Sequence, residues 1–299
     1  MAQNNDVLKR INERYPHLSK GQKLLASYIT EHYEKAVYLT ASKLGQTVGV
    51  SESTVVRFAN ELGYDGYPSL QRALEELVKV RLTSLQRMEV SRGRMDQSHM
   101  LTSILQADMD NIKATLEMAD EGEFKNAVDA ILNARRIYIL GVRSCAALAA
   151  FLGFYMNLLF EDVRLIHTNS VSETFEQMLK IGEEDVVIGI SFPRYSKRTV
   201  RAMDFAKSRG ACVVAVTDSD LSPLIPYSDF TLKAKSDMVS FVDSLVAPLS
   251  LLNSLIVALS MGRRDEITNS LSSLENIWKE YDVYDSEEKN DLVFGKPLP

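Results

Sequence analysis

The sequence predicts two unlike domains: a small all-helical one carrying a helix-turn-helix, then an α/β one built on a doubly wound parallel sheet. Three observations carry this. Residues 40 to 63, TASKLGQTVGVSESTVVRFANELG, read as two short helices joined by a glycine turn. After Met100 helical stretches alternate with short β-branched runs, the pattern of a parallel sheet covered on both faces. The charge also changes sign: the 299 residues sum to −6, but residues 1–95 sum to +4 and residues 96–299 to −10. The expected organisation is a helical domain over 1–83, a linker over 84–105, the α/β domain over 106–284 and a mobile tail over 285–299.

In the helical domain, Ser19 followed by Gln22 has capping-box spacing and opens a helix whose core side is Leu24, Leu25, Tyr28 and Ile29. Ala41, Leu44 and Val48 then repeat at helical spacing. Gly49 supplies the positive φ of a sharp turn, and Ser51 caps the next helix. On that helix Val55, Phe58, Ala59 and Leu62 follow i, i+3, i+4, i+7 and turn inward together, and Gly63 ends it. Pro68 starts a further helix, with Leu70, Leu74, Leu77 and Val78 along one side and Arg72, Lys79 and Arg81 outside.

The face opposite Phe58 carries Ser53, Thr54, Val56, Arg57 and Asn60, a set that suits a major groove better than a core. Arg57 can fork onto guanine or grip a phosphate, Asn60 can pair with adenine, and Val56 can touch a thymine methyl. Ser51 and Ser53 offer donors to phosphate at the helix start, and Lys43 adds a cation from the preceding helix. Glu52 opposes this set, because a carboxylate repels phosphate. Paired amphipathic helices also occur in bundles that never meet nucleic acid. The basic sign of residues 1–95 weighs toward DNA.

The stretch SLQRMEVSRGRMDQSH, residues 84–99, is polar and basic with a bend point at Gly93, and reads as the linker. Five strands follow: Ile137 to Gly141, Val163 to His167, Val186 to Ser191, Cys212 to Thr217 and Phe230 to Leu232. Helices are expected over Ser144 to Leu159, Ser172 to Ile181 and Lys197 to Ser208. In such a sheet a ligand belongs at the carboxyl ends of the strands, which points to GVRSCAA and SFPRYSKRT. Arg143, Ser144 and Cys145 in the first loop, with Ser191, Arg194 and Ser196 in the second, set positive charge and hydroxyls beside helix starts. That arrangement is an anion cradle. Helix capping accounts equally well for Ser144 or Ser196 taken singly.

Composition excludes other classes. The start is polar and lacks the apolar centre of a signal peptide, and no segment has the uncharged length of a membrane span, so a cytoplasmic protein with no membrane partner is expected. Leu245 to Met261 is apolar but interrupted by Pro248, Ser250, Asn253 and Ser254, and reads as a buried helix. Two cysteines and four scattered histidines give neither a disulfide framework nor ligand spacing, so no metal and no cofactor is expected.

The chain resembles the RpiR family of bacterial transcription regulators, which joins an N-terminal helix-turn-helix to a C-terminal sugar isomerase (SIS) domain. The resemblance is carried by LTASKLGQTVGVSESTVVRFANELGYDGYPSLQ, then by ARRIYILGV, DVVIGISF and AKSRGACVVAVTDS followed by Pro223 and SDF. It implies operator DNA as partner, a homodimer or homotetramer, and an SIS domain that binds a phosphorylated sugar or amino sugar. A repressor of a carbohydrate catabolic operon is the expectation. Two loops depart from the family pattern. Arg143 stands at the second glycine of G-x-G-x-S with Cys145 at its serine, and Pro193 and Arg194 stand at the Ser-Gly of S-x-S-G-x-T/S. Either the arginines fill the phosphate space or they bind an anion of another shape. The alternative is a sugar-phosphate isomerase with a DNA-binding head, for which Glu173, Glu176 or His167 would be the acid/base candidates; none has a recognisable catalytic spacing, and no catalytic residue is assigned.

Overall fold

The computed structural model describes residues 7–81, 83, 85–88, 99–168, 170–238 and 241–284. The expected tail, Gly93 and most of the linker lie outside them, as do the side chains of Lys79 and Arg81. Five helices form the head: α1 (Val7–Arg14), α2 (Lys20–Ala36), α3 (Ala41–Val48), α4 (Glu52–Glu61) and α5 (Gly66–Arg81). The capping box at Ser19 and Gln22 is present. Thr40 and Ser51 cap α3 and α4 by accepting from the N–H groups of Lys43 and Thr54. Gly49 ends α3 at φ 80°, the left-handed conformation that L-residues resist.

Leu25, Ile29, Leu44, Val55, Phe58, Ala59, Leu62, Leu70, Leu74 and Val78 make one core, joined by Val7 and Ile11 of α1. Leu24, expected inside, is 49% exposed, and Ala26 takes its place. The reason is helical phase: with Leu25, Ala26 and Ile29 facing α3 to α5, position 24 is rotated onto the outer face. Tyr67 ties α5 to the approach of α3 by donating to the Leu39 carbonyl at 2.6 Å, and Gln71 donates to the Val37 carbonyl at 2.8 Å. Burial pushes the Tyr67 phenol up to about 12, so it stays a donor at any ordinary pH.

The second domain contains α6 (Met100–Glu117), α7 (Glu121–Leu132), β1 (Arg136–Gly141), α8 (Cys145–Leu159), β2 (Val163–Leu165), α9 (Val171–Gln177), β3 (Asp185–Ile190), α10 (Lys197–Ser208), β4 (Cys212–Thr217), β5 (Phe230–Lys233), α11 (Val246–Gly262) and α12 (Arg264–Glu280). The expected boundary at 105/106 falls inside α6, and residues 85–88 of the expected linker are helical. The polar composition of 84–99 hid both.

All strands are parallel, in the order β2-β1-β3-β4-β5. Alternate residues feed opposite faces. Ile137, Ile139, Val186, Ile188, Val214 and Val216 pack under α7, α8 and α11, while Tyr138, Leu140, Val187, Val213 and Ala215 pack under α10 and under Met178 and Ile181, just after α9. No single helix among the described residues is long and apolar enough to cross a membrane. The apolar α11 and its successor α12 bend by 100°, and α11 buries Ala247, Pro248, Leu252, Leu255, Ile256 and Leu259. At that bend Arg263 donates to the Leu132 carbonyl at 3.3 Å and the Leu159 carbonyl at 3.5 Å. One cation thereby meets the negative ends of both α7 and α8.

Candidate nucleic-acid interface and strand-end cleft

The exposed face of α4 carries Ser53, Val56, Arg57 and Asn60, with Thr54 half-buried at its edge; Lys43 on α3 is also exposed. At its N-terminus the Ser51 hydroxyl lies 2.9 Å from that of Ser53 and 2.8 Å from that of Thr54. This hydroxyl cluster sits on the positive end of the helix dipole, where a phosphate is favoured. Arg57 folds back along its own helix, Nε donating to the Ser53 carbonyl at 3.3 Å, and leaves the rest of its guanidinium outward. Asn60 also has a structural role. Its side-chain oxygen accepts from the Gly66 N–H at 3.0 Å, so it braces the α4–α5 turn, and pairing with adenine would have to share that oxygen. Arg10 of α1 supports the same end of α4, donating to the Leu62 carbonyl at 3.3 Å and lying over the Tyr64 ring.

The second site lies where the strand order reverses. The chain leaves β1 to one side for β2 and returns on the other side for β3, so the β1 and β3 loops diverge and open a crevice. A cleft of about 330 Å³ lies there, and its lining includes all six residues expected at the strand ends: Arg143, Ser144, Cys145, Ser191, Arg194 and Ser196. Gly141 lets β1 run directly under the first turn of α8. A Cβ there would stand 2.3 Å from the Cys145 carbonyl oxygen.

The six do different things. Ser196 caps α10, accepting from the Thr199 N–H. Ser144 makes no cap hydrogen bond although it precedes α8, so capping does not explain it. Ser191 is buried and holds its loop: its hydroxyl accepts from the Ser196 N–H at 3.0 Å, and its carbonyl accepts from the Thr217 hydroxyl at 2.9 Å. Burial pushes the Cys145 thiol up, so it is protonated at neutral pH and offers a weak donor where a serine would offer a strong one. Arg143 and Arg194 are exposed at the cleft. Arg143 keeps φ 60°, the left-handed backbone that a glycine would adopt without strain.

Four residues of this site escaped sequence reasoning. Tyr195 donates to Asp218 at 2.7 Å and pins the β3 loop. The VTDS run after β4 gave a signal for Asp218. Arg87 and Asp243 line the cleft from distant parts of the chain, and no local pattern marks them. Glu173 accepts a hydrogen bond from the Thr168 hydroxyl, and neither it nor Glu176 nor His167 is among the residues lining the cleft.

A helix-turn-helix head joined to a five-stranded α/β domain with a strand-end cleft is the architecture of a DNA-binding regulator carrying an SIS domain. The helix-turn-helix domain of the rpiR family matches residues 5–79, and the SIS domain matches residues 130–258. The chain belongs to the RpiR family and is an HTH-type transcriptional regulator. It is 26% identical over 274 residues to an HTH-type transcriptional regulator of Haemophilus influenzae, covering 89% of this chain and 93% of that one. The sugar isomerase domain of an RpiR transcription factor from Sphaerobacter thermophilus superposes with a TM-score of 0.57 at 26% identity, over 60% of this chain and 99% of the other. The Vibrio vulnificus NanR protein complexed with ManNAc-6P shares the fold, with a TM-score of 0.55 at 20% identity over 92% of this chain and 98% of the other.

Proposed function

We propose that this regulator is a cytoplasmic repressor of a carbohydrate catabolic operon. It reads operator DNA through α4, and a phosphorylated sugar or amino sugar in the strand-end cleft changes its DNA affinity. The observation that carries the reading is the pair of arginines, Arg143 and Arg194, at a cleft between two helix starts. A phosphate there meets charge-assisted donors from both loops. That the related NanR structure holds ManNAc-6P supports a phosphorylated amino sugar as the first class to test. The reading needs no catalytic step: the single carboxylate lining the cleft among the described residues, Asp243, is ion-paired to Arg87.

The working form is a homodimer or homotetramer, which holds two heads at half-site spacing. α8 and α11 bury one side each in the core. A longer apolar row runs along α6, where Leu101, Leu105, Met109, Ile112 and Leu116 are all exposed at three- and four-residue spacing. α11 adds Leu249, Val257 and Met261.

The experiment is titration of the full chain onto its own upstream DNA at several salt concentrations, with and without a panel of sugar phosphates and amino-sugar phosphates. Specific binding that salt weakens and one compound alters supports the reading; binding indifferent to every compound removes the effector half of it. Arg57→Ala is expected to cost about 1–3 kcal/mol of specific binding. Unchanged affinity and base preference would take Arg57 out of the interface. Arg143→Gly is expected to stabilise the fold by about 1 kcal/mol, because it releases a left-handed residue, while weakening anion binding. Denaturant unfolding beside a phosphate titration checks both, and equal anion affinity would leave Arg143 a surface residue only.

A further inference from the structure

The segment between the domains supplies part of the cleft. Thr83 opens the helical turn at 85–88 with a capping box of its own. Its hydroxyl accepts from the Gln86 N–H at 3.3 Å, and its N–H donates to the Gln86 side-chain oxygen at 2.9 Å. The turn carries Arg87 inward, where it is only 4% exposed and lines the same cleft as Arg143 and Arg194. Its Nη1 donates to the Asp243 carboxylate at 2.6 Å, across 156 positions of sequence. Phe241, Val242, Asp243 and Leu245 form the neighbouring wall.

That wall is tied to α6, and the chain just before it touches the head. Ser244 donates to Asp108 of α6 at 2.6 Å, and Met238, a few residues upstream, packs against the core of the helix-turn-helix domain. Burial, then the neighbouring Asp218, hold the Tyr195 phenol above its ordinary range, and Glu76 of α5 adds a smaller push in the same direction. Asp243 itself is caught between opposing influences: burial pushes its carboxyl up, and Arg87 and Arg194 pull it down. A carboxylate paired to Arg87 and drawn down by Arg194 does the electrostatic work of an anion in a site shaped for one. When a phosphate enters, two negative groups compete for the same guanidinium groups.

We propose that Arg87 is an effector-binding residue supplied by the interdomain segment, and that an anionic effector displaces Asp243 from it, coupling occupancy of the cleft to placement of the head. This rests on the reading of the cleft as an anion site. Arg87 gives the phosphate a planar fork of donors. The freed 241–245 segment then alters the Met238 contact, so the ligand has different free energies in two head placements, as any allosteric effector requires.

The test uses the full chain with inorganic phosphate and glucose 6-phosphate as probes, read by calorimetric binding and by DNA anisotropy. Asp243→Asn removes the competing charge at nearly constant shape and should tighten phosphate binding about fivefold or more. Arg87→Met should weaken it by at least as much and bring the ratio of DNA affinities with and without phosphate toward one. Arg87→Lys, which keeps the charge and loses the fork, should fall between wild type and Arg87→Met. It decides the matter together with Asp243→Asn if thermal melts show Arg87→Met to be unfolded. Phosphate affinity and DNA ratio unchanged in these variants would overturn this proposal alone. A wild-type chain that binds neither probe would overturn it together with the anion reading of the cleft.

Discussion

Phe58→Ala melts the head and leaves the sheet domain standing. Phe58 is fully buried at the centre of the helix-turn-helix core, between Val55, Ala59 and Leu62 of its own helix and the inner faces of α2, α3 and α5. Truncating a buried phenylalanine costs about 3–5 kcal/mol, which is a large share of what a domain of this size commands. The sheet domain keeps its own cores on the two faces of the sheet, and Phe58 is in neither. Scanning calorimetry should therefore show an early transition split from an unshifted later one, with specific DNA binding lost and phosphate binding retained. One transition displaced as a whole would mean that contacts such as that of Met238 weld the two domains into a single cooperative unit.

Gly141→Ala is the second large effect. The new Cβ would lie 2.3 Å from the Cys145 carbonyl oxygen and 2.8 Å from its carbon, both backbone atoms of the first turn of α8. Backbone cannot rotate away as a long side chain can, so α8 must shift along β1. Overpacking of this kind costs about 1–3 kcal/mol, occasionally more. The functional loss should exceed the loss of stability, because the displaced turn carries Arg143, Ser144 and Cys145 together. Denaturant unfolding and a phosphate titration on the same sample separate the two quantities. If neither changes, the close packing of α8 on β1 is not what shapes the cleft.

Much of this was legible because it is local. The period-2 alternation of IYILG and CVVAVT fixed which residues face each side of the sheet, and the strands fall within two residues of their expected bounds. The helix-turn-helix followed from side-chain spacing, a glycine that takes positive φ and two capping hydroxyls, all features of a few consecutive residues. Expecting the ligand loops after the first and third strands needed only the general rule for open parallel sheets.

Where expectation and structure part, the deciding partner is far away or the helical phase is set by packing. Leu24 has the composition of a core residue but the phase of a surface one. Asn60 is exposed on the outer face of α4, but its side-chain oxygen also holds Gly66. Ser191 lines the cleft as expected, and also braces its own loop through Ser196 and Thr217. The two domains, the strands, the helix-turn-helix and the two loops of the cleft are written into the sequence, since each depends on periodicity or on turn chemistry within one stretch of chain. Only the tertiary structure decided that a linker arginine and Asp243, 156 positions apart, meet in that cleft. An ion pair between distant residues leaves no periodicity behind; it exists only because folding brings both groups out of water at one place, where each becomes the other's nearest compensation.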